Sequence, residues 1–409
     1  MMLLLALFSH YLSAAVPDGL KQLHTLAQGQ SELLEAAQSR EEQARERKDR
    51  ARGTLFPQLT GRYSFTEIDP LPGEPSPFRR RNQYTVLVNL NQPLYRGDAI
   101  SAFSFARMDI DLQKRLKEQQ GLSLWMDVGD SYYNLWRSKI DLENIRQLRR
   151  FSEERVGELK ERVRVGRSRK GELLQAQAQL ATVEADLSQA ENNVKGAEER
   201  IEFLAGSKID PQFGALPVTK QTVSPLGEYL QKILNRPDIK ARSQEVLMAD
   251  KMVDVAKAGH QPTLDFNANA YFLRTGIVED SRWDVGVNLS VPIFQGGSVV
   301  AQTREATERK REATLMLERL KREAQRDIKI LWQNAQMVEK ILEDLRAATE
   351  RARATYEENK KDYRYGLVTS LDVLLALNEF ISTKRRFENA IIDRELTTLQ
   401  LNLAVGDMP

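Results

Sequence analysis

The chain has 409 residues, 41% apolar and 29% charged, and its 60 Lys+Arg against 58 Asp+Glu leave a formal net charge of +2, so no global field selects nucleic acid as a partner. It contains no cysteine, which excludes disulfides, thiolate metal sites, a cysteine nucleophile and a lipidated N-terminal cysteine. Its histidines, His10, His24 and His260, are far apart and read as surface imidazoles rather than a metal cluster; with no phosphate-binding glycine loop and no nucleophile elbow, no cofactor and no metal are expected.

Residues 1–15 read as a signal peptide: the apolar run MMLLLALF leads to Ser13, Ala14 and Ala15, a small-x-small site before Val16. No Lys or Arg precedes the run, so a buried N-terminal helix or a mis-assigned start is the alternative. A helix is predicted from about Asp18 to Arg52. Two strands follow, at about 57–68 and 82–93. In the first, Leu59, Tyr63 and Phe65 face away from Thr60, Arg62, Ser64 and Thr66; in the second, Tyr84, Val86, Val88 and Leu90 share one side, and the other side is mixed, with Leu87 among Thr85, Asn89 and Asn91. The Pro- and Gly-rich DPLPGEPSPFRRR between them reads as an exposed loop. Proline is tolerated at strand ends but not in a central ladder, so Pro57, Pro93 and then Gly97 are expected hinges between strand and helix.

From Gly97 to Arg164 the chain carries helix formers without proline, about 100 Å of helix at 1.5 Å per residue. Gly166 punctuates a tip turn at about 164–171, where a glycine can take a left-handed cap conformation. The shorter helix beyond it has apolar positions seven apart, Leu173, Leu180, Leu187, Val194 and Ile201 beside Ala176, Val183, Ala190, Ala197 and Leu204, which implies supercoiled packing against a neighbour. Residues 207–224 form a linker.

The plan then repeats. A helix at about Leu226–Lys257 precedes strands at about 262–274, where Leu264, Phe266, Ala268, Ala270 and Phe272 oppose Asp265, Asn267, Asn269 and Tyr271, and 281–292, where Trp283, Val285, Val287, Leu289 and Val291 oppose Asp284, Gly286, Asn288 and Ser290. GIVED joins them. Pro262, Pro292, Gly296 and Gly297 are the matching hinges; a long helix from Gly297 to Arg364, a tip turn at about 364–371 around Gly366, and a final heptad helix interrupted by Arg394 complete it. The offsets are 205 residues from Pro57 to Pro262, 199 from Pro93 to Pro292 and 200 from Gly166 to Gly366, so residues 16–206 and 225–409 are two repeats. The fold class is mainly α with a small membrane β contribution. No apolar stretch reaches the roughly 20 residues of a membrane helix, and four strands are fewer than the about eight of the smallest membrane barrels. If the strands cross a bilayer, several copies must share one barrel, their wet faces lining a pore.

The twice-repeated order of hairpin and long helix, the junctions QPLYRG and VPIFQGG, and the turns VRVGRSRKGELLQAQAQL and YRYGLVTSLDVLLALNEF resemble the TolC-type outer-membrane efflux proteins over nearly the whole chain from Asp18. The resemblance implies a homotrimer whose copies build a twelve-stranded barrel in outer-membrane lipid, continued by an α-helical tunnel through the periplasm. It implies an exit duct with no enzymatic activity, working with a periplasmic adaptor and an inner-membrane transporter of RND or ABC type. Adaptor docking then maps to Val165, Gly166, Arg167 and Ser168 and to Tyr365, Gly366, Leu367, Val368 and Thr369, with Arg167 standing where an apolar residue is usual. Asp372 matches the aspartate ring that narrows the closed tip, Leu375 stands where a second acid is common, and Glu172 and Tyr363 sit where a latch between tips would form. Without the resemblance, Asp372 reads first as a helix cap, and the basic cluster Arg162, Arg164, Arg167, Arg169 and Lys170 reads equally as a site for an acidic adaptor face or as a solvated helix end. Two rivals stand beside the duct: a coiled-coil envelope scaffold or adaptor with small surface hairpins, and an envelope enzyme on a helical stalk, which lacks a convergent catalytic set.

Overall fold

A computed structural model describes residues 16–67, 82–217, 222–275 and 280–408. The expected signal peptide, the loop of the first hairpin and most of GIVED lie outside the described residues. In chain order the elements are α1 (Asp18–Gln30), α2 (Glu32–Gly53), β1 (Gln58–Glu67), β2 (Asn82–Tyr95), α3 (Gly97–Arg164), α4 (Lys170–Ala205), α5 (Leu226–Gln231), a 3-10 turn (Lys232–Asn235), α6 (Pro237–Ala258), β3 (Thr263–Arg274), β4 (Trp283–Ser290), α7 (Ser298–Tyr365) and α8 (Ser370–Ala404). The chain divides into two compact units that do not follow the repeats. One takes the chain up to Leu34, Gln119–Arg236 and Arg322 onward; the other takes Glu35–Glu118 and Pro237–Lys321.

Both long helices run 68 residues, as their proline-free sequences predict. The helices expected before each hairpin are each broken instead. The first stops at Ser31, whose backbone is extended (φ −76°, ψ 103°) and whose hydroxyl accepts from the Leu34 amide at 3.3 Å, so a serine cap restarts the helix after Gly29 and Gln30. The second breaks at Arg236, held extended at φ −56° and ψ 132° because the residue before a proline is pushed out of the helical region, and Pro237 then opens α6, where its missing N–H costs nothing. Ser31 and Arg236 are 205 residues apart, the spacing of the prolines that open the two hairpins. The break is therefore a feature of the repeat.

In the unit that holds the sheet, β1-β2-β3-β4 is the strand order and each adjacent pair is antiparallel. The two hairpins share one register. Leu59 faces Leu90 in the first and Leu264 faces Leu289 in the second; offsets of 205 and 199 carry one pair onto the other, and the six-residue difference falls in the connecting loops. Pro93 does not end its strand: β2 runs on to Tyr95, with Pro93 opposite Asp265 beside an irregularity that relaxes the need for its N–H. A second irregularity between Val86 and Leu87 leaves Phe272 without a partner in β2. The helices of this unit bury small side chains (Ala37, Ala44, Ala106) beside larger ones (Ile239, Met248, Val253, Val299) and carry ion pairs, of which Arg47 to Asp109 is two-pronged at 2.8 and 2.6 Å.

In the other unit, the α4 stripe Ala176, Val183, Ala190 and Ala197 is buried, as its heptad spacing demands, while Leu173, Leu180 and Leu187 are half-buried. Its largest cluster joins α1 (Leu20, Leu23, Ala27), α4 and the aromatic stretch of α3 around Tyr132, Tyr133 and Trp136. The described parts of the linker are tied down on either side. Gln212 accepts from the Tyr132 hydroxyl at 3.1 Å, Phe213 stacks on Trp136 with ring centroids 5.6 Å apart, and the indole of Trp332 in α7 donates to the Ser224 carbonyl at 2.9 Å.

Arg394, the one break in the α8 stripe, holds the same linker. Only 3% exposed, it donates to the Pro217 carbonyl, pairs with Glu395 at 2.8 Å and faces Glu339 of α7 at 3.6 Å. Removing one member of a buried charge group leaves the others uncompensated, at a cost of about 3–5 kcal/mol. We therefore expect Arg394→Ala to destabilise by that order in denaturant titration and to speed proteolytic cleavage within 207–224. An unchanged cleavage rate there would show that the linker is held without it.

Candidate functional site

Two places carry the features that sequence marks as functional: the faces of the sheet and the turns that join α3 to α4 and α7 to α8. On the sheet, period-two alternation sends one apolar row outward, with Leu59, Tyr63, Trp283, Val287 and Leu289 each at least 60% exposed. The other face is a polar network. Asn89 donates to Asn269 at 2.7 Å, Asn269 donates to Asp284 at 2.8 Å, and the Tyr271 hydroxyl donates to the second Asp284 oxygen at 2.8 Å. Below it, Arg96 reaches Asp265 at 3.1 Å, tying the start of α3 to β3. Three of the expected hinge residues flank elements directly: Pro57 precedes β1, Pro262 precedes β3 and Gly97 opens α3. Pro292 lies two residues beyond β4, and Gly296 and Gly297 precede α7 with φ of 60° and 80°. Between β4 and those glycines, Ile293 and Phe294 are 94% and 87% exposed.

The two helix-to-helix turns are built alike. Gly166 and Gly366 both have φ 74°, a conformation that costs a side-chain-bearing residue about 1–2 kcal/mol. Each donates to the carbonyl three residues back, Val163 and Tyr363, at 3.1 Å, and the next residue donates five back, Arg167 to Arg162 at 2.8 Å and Leu367 to Asp362 at 3.0 Å. This paired closure of the last helical carbonyls is the reason for a glycine between two helices. Val165, Tyr365 and Leu367 are then thrust outward at 55%, 80% and 73% exposure; Arg167 and Thr369 are exposed, Ser168 is half-buried, and Val368 leans on the apolar cluster of the tip.

Asp372 is the third residue of α8 and closes a capping box with Thr369. Its carboxylate accepts from the Thr369 amide at 2.7 Å and hydroxyl at 2.6 Å, while its own amide donates to the Thr369 hydroxyl at 3.3 Å. The hydroxyl first and the amide second hold its pKa below the usual carboxylate value. Glu172 and Tyr363 have separate partners within the chain. Glu172 accepts from Ser168 at 2.5 Å within its own turn. Tyr363, 7% exposed, lies under two guanidinium groups, Arg155 at 3.6 Å and Arg162 at 4.3 Å from the ring centre. Arg155 also donates to Ser370 at 3.0 Å and to Glu158 at 2.7 Å, so one side chain of α3 joins the end of α7 to the start of α8. Of the basic cluster, Arg162 pairs with Glu158 and Arg164 with Glu161; Arg167, Arg169 and Lys170 are exposed.

Sequence reasoning passed over Arg155, and with it a polar seam between α3 and α8. Gln400 donates to Asp130 at 3.2 Å, Arg137 meets Asp393, Arg385 and Asn389 donate to Asp141 at 3.1 and 3.2 Å, and Asn144, 2% exposed, donates to Glu388 at 2.6 Å. Asp130, Arg137 and Asn144 are seven apart, so a heptad search admitting polar residues would have found the seam. Beside it opens a cleft of about 620 Å³ whose lining is mostly amide and charge, including Asn134, Asp186, Gln189 and Asn193. His260 is exposed; His24 is not the plain surface imidazole expected, for it stacks on Trp125 at 3.6 Å and burial lowers its pKa. Among the described residues no helix is long and apolar enough to cross a membrane, and no group of His, Asp and Glu is placed to hold a metal ion.

Residues 23–207 and 229–407 match the family described as Outer membrane efflux protein. The chain is similar to outer membrane protein TolC of Vibrio cholerae, 26% identical with 97% of this chain and 92% of that one covered, and to alkaline protease secretion protein AprF of Pseudomonas aeruginosa, 22% identical over 95% and 84%. Its fold matches a crystal structure of CusC with a TM-score of 0.87 at 19% identity, covering 96% of this chain and 93% of that one.

Because the folded pKa of Asp372 is depressed, its capping contribution is present above the ordinary carboxylate range and is lost as pH falls through the depressed value. Protection of the Thr369 amide against exchange, measured relative to the intrinsic rate at each pH, should fall only in acid in the native chain and should be low at every pH in Asp372→Ala. Thr369→Ala should weaken the α8 start by about 1 kcal/mol.

Proposed function

The chain belongs to the outer membrane efflux protein family, and from that premise we propose how this member is assembled and gated. It is an outer-membrane channel that extends into the periplasm and serves as the exit duct of an efflux or secretion system. Three copies contribute four strands each to one barrel. The apolar row faces lipid, and the Asn89–Asn269–Asp284 face lines a water-filled lumen. The observation that carries this reading is the two-faced antiparallel sheet with β1 and β4 left as open edges, since open edges are not stable in hydrocarbon.

The α3–α4 and α7–α8 turns dock a periplasmic adaptor, which couples the duct to an inner-membrane transporter of the RND or ABC type. Tyr365 and Leu367 offer an exposed apolar contact on the second turn, and Arg167, Arg169 and Lys170 offer positive charge on the first. The described lumen face is amide-rich, with Asn89, Asn269 and Asp284 in one hydrogen-bonded row, and the choice of cargo is assigned to the transporter. The gate uses two elements within each copy. Arg155 clamps Tyr363 and Ser370, with about 0.5–2 kcal/mol in the cation–π stack alone, and Asp372 from three copies forms a carboxylate ring that attracts cations.

Planar-bilayer recording tests the reading: the purified protein should run as a heat-resistant trimer and show passive conductance, whereas sealed bilayers favour the scaffold. Arg155→Ala should raise the basal conductance by freeing Tyr363 and Ser370. Asp372→Ala should also raise it and should weaken block by multivalent cations; an unaltered block would remove Asp372 from the gate.

A further inference from the structure

The sheet itself holds a template for the junction between subunits. β2 ends the first hairpin and β3 begins the second, so their ladder is where one repeat meets the next. At the far sides, β1 and β4 are exposed along their whole lengths and present unpaired backbone. Because the hairpins share one internal register under fixed offsets, β4 stands to its own hairpin as β2 does to the first, and β1 as β3 does to the second. The β2–β3 ladder can therefore be transferred to a β4–β1 ladder between two copies of this chain.

We propose that β4 of one copy pairs with β1 of the next in that transferred register, with Asn288 opposite Ser64 of the partner subunit and Leu289 opposite Tyr63 of the partner subunit. The inference rests on the trimeric reading above. It follows from Asn89 facing Asn269 and Leu90 facing Ala268 within the chain: adding 199 to Asn89 and Leu90 gives Asn288 and Leu289, and subtracting 205 from Asn269 and Ala268 gives Ser64 and Tyr63. Side-chain chemistry agrees independently. The register sets amide against hydroxyl on the wet face and two apolar side chains on the lipid face, whereas a one-residue slip would put Asn288 against Tyr63 or Phe65 and turn every pair to the wrong face. The junction is head-to-tail, the interface type that closes into a ring. It differs from its template in charge: the Arg96–Asp265 pair that anchors β2–β3 has Gln295 and Thr60 at the equivalent positions, so hydrogen bonding and packing hold it without an ion pair.

The cysteine-free chain makes disulfide trapping a direct test. Residues directly opposite in an antiparallel ladder have Cα atoms about 4.5–5.5 Å apart, inside the range a disulfide spans, and a two-residue slip moves them to roughly 8 Å, outside it. Chains carrying Ser64→Cys with Asn288→Cys, or Tyr63→Cys with Leu289→Cys, should form covalent trimers on oxidation that reductant dissolves. Arg62→Cys with Asn288→Cys, and Thr66→Cys with Asn288→Cys, should yield several-fold less. The two matched pairs lie on opposite faces and adjacent rungs, so one survives if the other perturbs assembly. Trimers by light scattering in detergent that cross-link better through a mismatched pair, or through none, overturn the register while leaving the trimer standing. A monomer in the same measurement overturns both.

Discussion

Backbone in hydrocarbon has to find its hydrogen bonds within protein, because each unsatisfied N–H or C=O there costs several kcal/mol. That constraint governs the organisation of this chain. Three ladders are satisfied internally, and the central one, β2–β3, unites strands about 180 residues apart, so the second repeat must fold before the first has a complete sheet. What remains are two edges of 10 and 8 residues, too long to be blunted by a charge or a proline. The proposed assembly follows from that incompleteness: a chain that could close its own sheet would need no further copies to satisfy its edges.

The helices answer a different demand, and they do so with two kinds of seam. The buried α4 stripe is apolar and sevenfold-periodic, stabilised by area removed from water, with ion pairs such as Arg146–Glu191 to α3 at its margin. Between α3 and α8, beside apolar contacts such as Leu399 against Gly129, runs a polar seam whose rungs have named partners, such as Asn144 with Glu388. Exposed rungs contribute little, about 0–1 kcal/mol each, yet a displaced rung leaves a buried donor or acceptor without a partner, at about 1–3 kcal/mol. The first seam supplies cohesion and the second supplies alignment. Arg155, at the tip end of the polar seam, combines both, stacking on Tyr363 and hydrogen-bonding Ser370.

Most of this plan is written in patterns that need no coordinates. Period-two alternation gives the hairpins, the absence of proline gives both 68-residue helices, and paired glycines locate the turns. What escapes sequence reading depends on a partner distant in the chain. Arg394 looks like an error in an apolar stripe until Pro217, Glu339 and Glu395 surround it. The resemblance places Tyr363 where a latch between tips would form, and nothing in its own stretch of sequence announces the α3 guanidinium groups that cover it. Other misses were local and legible: Ser31 is a competent helix cap and Pro237 a helix opener, and both lose attention inside long runs of helix formers. Pro93 misleads for the opposite reason, since a ladder irregularity opposite Asp265 removes the rule that would have ended the strand there.

The shared register of the two hairpins also bears on how easily the ring forms. Strand by strand, the proposed ring of three such chains is a ring of six half-chains meeting at six junctions of one register, three within chains and three between them. Fusing the halves in pairs turns three of those encounters into intramolecular ones, where the tether supplies an effective concentration on the order of millimolar. Only three partners then have to find one another by diffusion, so closure of the circle is a third-order problem in place of a sixth-order one.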